Sequence, residues 1–248
     1  MRNKKLQIGI ILAIILVITV GCKQSSRFDH FSKEEQTLSW SGERTRSFGD
    51  ADYSTIKNEG EAIEILKNKY KVMLPTYYGK TKKILEKEIP SVTVKSGKTK
   101  YSIFARNKEL EFRLLTPFYK GDELQVFSEM VLTYTYSVDQ EQTYVKSQIV
   151  NIKITPIKGT LPNDNVKDLV KALGKNMNLS DQQLVSGLAG YEKRIKGTTT
   201  PIKDDYLVIA SNANVLDKKQ EFLKEISAVY DEEGTFRELY VELSDQLE

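Results

Sequence analysis

The chain has 248 residues, with 37 Lys and Arg against 34 Asp and Glu, one His and one Cys. The formal charge of +3 comes from one end: Arg2, Lys4 and Lys5 precede the first acid, Asp29, and without residues 1–21 the two signs balance. A neutral chain has no electrostatic footprint for nucleic acid, and one Cys with one His excludes a disulfide framework, a thiolate metal cluster and most zinc chemistry.

The first 21 residues have the three parts of an export signal. Met1–Lys5 is a short cationic region, and Ile8–Val20 is an apolar run broken only by Gly9 and Thr19. As a helix that run spans about 20 Å at ~1.5 Å per residue, short of a ~30 Å bilayer core. Gly21 supplies the small residue that ends it, and Cys22, the single Cys of the chain, follows.

The junction Thr19-Val20-Gly21-Cys22 resembles the lipobox of bacterial lipoproteins, in which a small residue precedes an obligatory Cys; Thr19 stands where Leu is usual. The resemblance covers the signal segment alone. It implies a diacylglyceryl group on the Cys22 sulfur, cleavage between Gly21 and Cys22, and a mature chain held by lipid on the extracytoplasmic face of the cell membrane. Each buried CH₂ contributes ~0.8 kcal/mol to such an anchor, and two chains hold where one does not. The alternative is an uncleaved signal anchor. It places residues 23–248 on the same side, because the basic flank stays inside.

Residues 22–50 read as the lipidated Cys and a flexible tether, rich in Ser and without a sustained period. Phe28, Phe31, Trp40 and Phe48 interrupt it, and one or two of these are expected to dock on the fold. Glu59–Leu74 reads as a helix, with Ala62, Ile63, Leu66, Tyr70 and Met73 on one stripe and Pro75 as its stop. A second helix is expected over Tyr78–Glu88.

After Pro90 the period changes to two. Val92 and Val94 alternate, Ser96-Gly97-Lys98 reads as a turn, Tyr101, Ile103 and Ala105 as a strand, and Asn107-Lys108 as a turn. Leu110, Phe112 and Leu114 share a strand face, and Pro117–Asp122 reads as a loop. Leu124–Val138 forms a long strand with Val126, Met130, Leu132, Tyr134 and Tyr136 on one side. Thr143–Thr155 pairs with it, with Tyr144, Val150, Ile152 and Ile154 together. Residues 156–162 read as a linker or crossover.

The chain then returns to helical spacing. Asn165 and Asp168 mark a helix start, and Val166, Leu169, Val170 and Leu173 its apolar stripe. Ser180 and Gln183 form a capping box that opens a helix through Leu184, Leu188 and Ile195, broken by 197–201. Tyr206–Ala210 is a strand. Residues 215–231 fit either a helix or a strand; Asp231–Gly234 is a hairpin turn signal, and Leu239, Val241 and Leu243 alternate after it, which favours a hairpin.

The expected fold is α+β in two modules, 51–157 and 158–248, each a set of helices followed by an antiparallel meander. That element order resembles the cystatin and NTF2-like folds, and a degenerate duplication is one reading of it.

Candidate chemical sites are sparse. Ser96-Gly97-Lys98-Thr99 looks like the end of a P-loop, but Val92 occupies the position of the first Gly and a strand follows, so it reads as a turn. His30 stands alone in the tether. Ser186 lies in Val185-Ser186-Gly187, without the first Gly of a nucleophile elbow. The acid pairs Asp50/Asp52, Asp204-Asp205 and Glu232-Glu233 all fall at turns or element ends. Asp50-Ala51-Asp52 fails the EF-hand loop, since Thr55 occupies the Gly position. Two tyrosines of Thr133-Tyr134-Thr135-Tyr136 share a strand face, which fits core packing better than a binding face.

No catalytic residue, cofactor or metal site is assigned from sequence. The expectation is a non-enzymatic surface protein, anchored through Cys22, that binds a protein partner of the cell envelope in an immunity or exclusion role. A small-ligand or glycan-binding lipoprotein is the alternative, and a carboxylate-based wall hydrolase a third reading.

Overall fold

The computed structural model describes residues 27–155, 161, 166–197 and 202–246. The linker at 156–160, the start signal at Asn165, part of the 197–201 breaker, and Gly21 and Cys22 lie outside them. The chain folds as α+β around one antiparallel sheet of ten strands.

The strands are β1 (Ser41–Glu43), β2 (Gly49–Ile56), β3 (Val94–Ser96), β4 (Lys100–Asn107), β5 (Glu109–Lys120), β6 (Glu123–Ser137), β7 (Gln142–Ile154), β8 (Tyr206–Ser211), β9 (Leu223–Tyr230) and β10 (Phe236–Ser244). Their order is β2-β4-β5-β6-β7-β10-β9-β8, with β1 on β7 and β3 on β5. Five helices accompany them: α1 (Lys33–Gln36), α2 (Glu59–Glu64), α3 (Thr76–Glu88), α4 (Val166–Asn176) and α5 (Asp181–Gly197).

Helices precede β3–β7 and again β8–β10, but β2 comes before the first of these helices, so residues 51–157 depart from the expected order of helices, then meander. The halves meet in one sheet because β10 pairs with β7, setting Leu239 opposite Ile152 and Val241 opposite Val150. One continuous cluster of buried apolar residues runs through both.

Alternation explains the layering. Leu110, Phe112, Leu114 and Phe118 of β5, Val126, Met130, Leu132 and Tyr134 of β6, and Leu239, Val241 and Leu243 of β10 are buried on one face. Helices and the segment between α2 and α3 reach that face. Tyr78 of α3 packs its ring on Phe112, the Tyr134 hydroxyl donates to the Met73 carbonyl, and Tyr191 of α5 bonds Tyr230 of β9 at 2.8 Å. Full burial of each such side chain contributes ~1.5–3 kcal/mol. The alternate residues, among them Leu115, Phe127, Val131 and Ile149, are only half-buried, sheltered by their sheet neighbours.

Several expectations are corrected by the structure. Residues 27–50 are not a free tether. Phe31, Leu38 and Phe48 are buried and Trp40 is half-buried against the core. β1 pairs with β7, and β2 begins inside the segment at Gly49. The docking is polar as well as apolar. Gln148 donates from Nε2 to the Leu38 carbonyl at 2.6 Å, and Phe31 stacks on Phe222 at 4.2 Å.

The first long helix stops earlier than Leu74. A wide π-turn over Ile65–Lys69 follows α2, and Lys71 takes φ of 55°. The extra residue in that turn shifts the stripe beyond it, so Met73 is exposed while Val72 is buried; Ile63, ahead of the turn, is exposed as well. Pro75 does not stop this helix; it stands at the N-cap of α3.

Pro117–Asp122 is strand up to Lys120. Pro117 lies where the neighbour of β5 changes from β4, which ends its pairing at Leu115, to β3, which begins at Phe118. A residue without an N–H fits at such a gap.

Tyr144 is not on the face of Val150. The register of β6 against β7 shifts between Thr133 and Tyr134, leaving Lys146 as a bulge, and Thr143 and Val145 turn inward instead. Ile195 is exposed rather than part of the α5 stripe. Residues 223–230 form a strand paired with β10, so the hairpin reading of the C-terminal stretch holds.

Candidate functional site

Two shallow grooves meet at the C-terminal end of the sheet, where β8 is the last strand. The first, about 580 Å³, lies over β8–β10 and is lined by Asp204, Asp205, Tyr206, Glu225, Ser227, Val229, Tyr230, Tyr240 and Glu242. The second, about 570 Å³, lies between β8 and α5, lined among others by Ser186, Gly187, Gly190, Arg194, Tyr206 and Val208. Asp205 and Tyr206 border both.

The first groove follows from the hairpin's polar parity. Leu239, Val241 and Leu243 point to the core, so Glu238, Tyr240 and Glu242 point away from it, and Glu225 and Ser227 of β9 join them. The register sets Glu242 directly opposite Glu225. Like charges facing across a strand pair destabilise it. Three hydroxyls hold the pair: Ser227 Oγ donates to Glu225 at 3.0 Å, Ser244 Oγ to Glu242 at 2.6 Å, and Tyr240 Oη to Glu242 at 3.3 Å. Among the described residues no Lys or Arg forms an ion pair with Asp204, Asp205, Glu225 or Glu242.

The local field shows in the neighbours. Burial pushes the Tyr240 phenol up to about 12, and the carboxylates of Glu242, Glu225 and Glu238 add to the effect. Burial also raises the Glu238 carboxyl, with Glu129 pushing the same way and Lys153 opposing. Lys153 lies 3.7 Å from Glu238.

Of the acid pairs read from the sequence, Asp204-Asp205 borders a groove. Asp204 takes φ of 45°, and its N–H donates to the Asp231 carbonyl at 3.1 Å, which sets the pair beside the β9–β10 turn that carries Glu232-Glu233. The Asp205 carboxylate accepts from the N–H of Tyr206 at 2.8 Å. Asp50 and Asp52 are exposed on β2, at the opposite end of the sheet.

The remaining motifs resolve as structural. Gly97 donates its N–H to the Pro117 carbonyl at 2.7 Å, and a Cβ there would sit 2.7 Å from the Tyr119 ring. Thr99 pairs its hydroxyl with Thr116 at 2.9 Å. The segment therefore closes β3 onto β5 rather than cradling phosphate. Ser186 is exposed on α5, and His30 is exposed beside the N-terminal helix turn. Tyr134 and Tyr136 are buried on the covered face. Among the described residues no three His, Cys, Asp or Glu side chains converge on a metal position. No described helix is long and apolar enough to cross a membrane.

Sequence reasoning missed one buried polar feature. Glu35 of α1 pairs with Lys224 of β9, and both are almost completely buried. Glu35 also accepts the Phe222 N–H at 3.0 Å. The signal was Lys224 itself, standing on the same strand parity as Phe222, Ile226 and Ala228.

No family model matches the chain, and neither the curated proteins nor the solved structures contain a match.

Proposed function

We propose that this is a lipid-anchored binding protein, non-enzymatic, that engages a protein partner at the extracytoplasmic face of the cell membrane. The observation that carries the binding reading is the sheet's outward face. Phe104, Leu115, Phe127, Val131 and Ile149 are half-buried there, interleaved with Glu111, Arg113, Glu129 and Lys153. Arg113 donates to Glu111 from Nε at 2.8 Å and lies 5.3 Å over the Phe104 ring. Such a mixture of apolar and aromatic area with a charged margin matches the make-up of non-obligate protein interfaces. The grooves are open along one side, which favours a macromolecular partner over an enclosed small molecule.

The anchor rests on the lipobox resemblance: cleavage after Gly21 and lipid on Cys22. Four residues separate Cys22 from Arg27, where the described fold begins, so the five steps between them reach about 17 Å at ~3.4 Å per residue. The fold is thus held near the bilayer rather than at the end of a long tether. The modular reading, 51–157 and 158–248 with a cystatin- or NTF2-like order, is supported by helices preceding β3–β7 and again β8–β10, with β7 and β10 as the join and β2 outside that order.

The test is site-specific photo-cross-linking in cells. A cross-linker at Ile149, in the middle of the outward face, is expected to give one reproducible adduct with an envelope protein, and one at Glu232, in the hairpin turn, is not. No adduct from Ile149, Val131 or Phe127 would count decisively against a partner on this face.

A further inference from the structure

The two ends of the sheet are finished differently. β2 carries Asp50 and Asp52, starts on Gly49 at φ of 74°, and shifts register between Tyr53 and Ile56. Charges of this kind discourage a further strand from adding; a register shift does not separate the two edges, since β8 shifts as well, between Val208 and Ala210. β8, Tyr-Leu-Val-Ile-Ala-Ser, has no charge at all. Tyr206 is 60% exposed and Val208 46% exposed, and β8 is bonded within the sheet to β9 alone.

Its outer edge can be read residue by residue. The Tyr206 N–H bonds the carboxylate of Asp205, while the Asp205 carbonyl accepts from Tyr230 of β9 at 3.0 Å. Residues along an antiparallel strand alternate in the side to which their backbone groups point. Asp205 and Leu207 therefore face β9, and the Tyr206 carbonyl with the N–H and carbonyl of Val208 face outward. Beyond Val208, α5 closes the edge: a Cβ at Gly187 would overlap the Ile209 carbonyl oxygen. Before it, the second groove is open past Ser186, Gly187 and Gly190, with Tyr191 and the cation of Arg194 completing its helix wall.

Charge decides the occupant. An added strand would lie ~4.8 Å from β8 and about 9.6 Å from β9. A Lys or Arg on it, beside Tyr206 or Val208, reaches Asp205 directly and Glu225 across one strand. Those carboxylates have no cation partner among the described residues, and Tyr206 offers an aromatic face to the same cation.

We propose that the edge of β8 from Tyr206 to Val208 receives a short extended segment of a partner protein bearing Lys or Arg, which adds to the sheet as an eleventh strand. This rests on the binding reading above and names the chemistry of the partner.

The probe is a fluorescein-labelled nine-residue peptide of alternating Lys and Val flanked by Thr, titrated by anisotropy against the full chain in lipid nanodiscs. Expected results are saturable binding that weakens about tenfold when the lysines are acetylated or in Val208→Lys, and that is unchanged in Val185→Lys, an exposed position on the far side of α5. N-methylation of alternate peptide amides on one edge is expected to abolish binding, and on the other edge to leave it unchanged. Equal binding by both methylated peptides, or equal binding by Val208→Lys and Val185→Lys, would overturn strand addition. A doubled mass by light scattering that Val208→Lys returns to the monomer would give the edge to a second copy of the chain and overturn the partner assignment. Where the peptide results overturn strand addition but the Ile149 cross-link persists, the outward face still binds and the edge proposal alone has failed.

Discussion

Replacing Lys224 with Met removes one charge from the most enclosed ion pair of the described fold. The Lys224 and Glu35 side chains are 6% and 5% exposed. Met keeps the length of the stem, so the change leaves little cavity. What remains is the Glu35 carboxylate, still accepting the Phe222 N–H at 3.0 Å but without its ammonium. Breaking a buried pair from one side costs about 3–5 kcal/mol, because the remaining charge is stranded away from water. Glu35→Leu strands Lys224 in the same way and also orphans the Phe222 amide, adding ~1 kcal/mol. The double variant Glu35→Leu/Lys224→Met leaves an apolar contact beside the Phe31–Phe222 stack. It is expected within about 1–2 kcal/mol of the parent, so the coupling in the double-mutant cycle exceeds ~2 kcal/mol. For contrast, Lys175–Asp181 has the same charges at 65% and 84% exposure, and losing it is expected to change stability by less than ~0.5 kcal/mol. The assay is urea unfolding followed by the fluorescence of Trp40, the single Trp, which packs against Tyr134. Hydrogen exchange at 31–38 would report whether the N-terminal segment opens first. Single variants costing under ~1 kcal/mol, or a cycle with no coupling, would refute the view that this pair fastens residues 27–38 to β9.

Three further outcomes follow from the same structure. Glu225→Gln relieves the carboxylate facing it on Glu242 while keeping an acceptor for Ser227, so the urea midpoint should rise, by about 0.3–1 kcal/mol of stability; a fall would mean the facing charges are not a strain. Gly187→Ala should destabilise by about 1–3 kcal/mol despite a helix-propensity gain of ~1 kcal/mol, because the methyl collides with Ile209; Gly190→Ala, where a Cβ meets open space, should not. Tyrosine titration provides the third. Burial holds the phenols of Tyr70, Tyr77 and Tyr240 up to about 12, and raises those of Tyr78, Tyr101, Tyr134, Tyr191 and Tyr230 as well. Above pH 10 the unfolded chain has lost these protons and the native one keeps them, so their contribution is whole below pH 10 and lost as pH rises through about 12. Absorbance should show a delayed tyrosine fraction that collapses to a single step near pH 10 in urea; one step in the native protein would contradict the burial.

What the sequence made legible was local. The period-two runs from Leu110 to Tyr136 and from Leu239 to Leu243 located strands and their buried sides, because a one-residue slip would expose every apolar side chain in them. The capping box at Ser180 and Gln183 forms as expected, with both reciprocal bonds at 2.8 and 3.2 Å. What stayed hidden depends on contacts distant in sequence. The bulge at Lys146 arises from pairing with β6 and β1 and has no marker in Tyr144-Val145-Lys146. The join of β7 to β10 spans a stretch of some ninety residues that reads equally well as a module boundary. Segment 27–50 has the composition of a tether, yet its aromatics find distant ring partners: Phe31 on Phe222 just before β9, Trp40 on Tyr134 of β6, and Phe48 on Tyr70 just after the π-turn. The acids of the groove were visible only as the polar half of a hairpin; their confrontation at Glu225 and Glu242 is a matter of register.

The claim that this is an anchored binding protein stands first on its anchor. Expressed in its host with a clickable fatty acid, the chain should enter the membrane fraction, carry the label, and begin at Cys22 by mass. Cys22→Ser should lose the label and no longer be held in the membrane as the mature form. A Cys22→Ser protein that stays membrane-bound, unlabelled and full length would instead show an uncleaved signal anchor and contradict the lipid attachment.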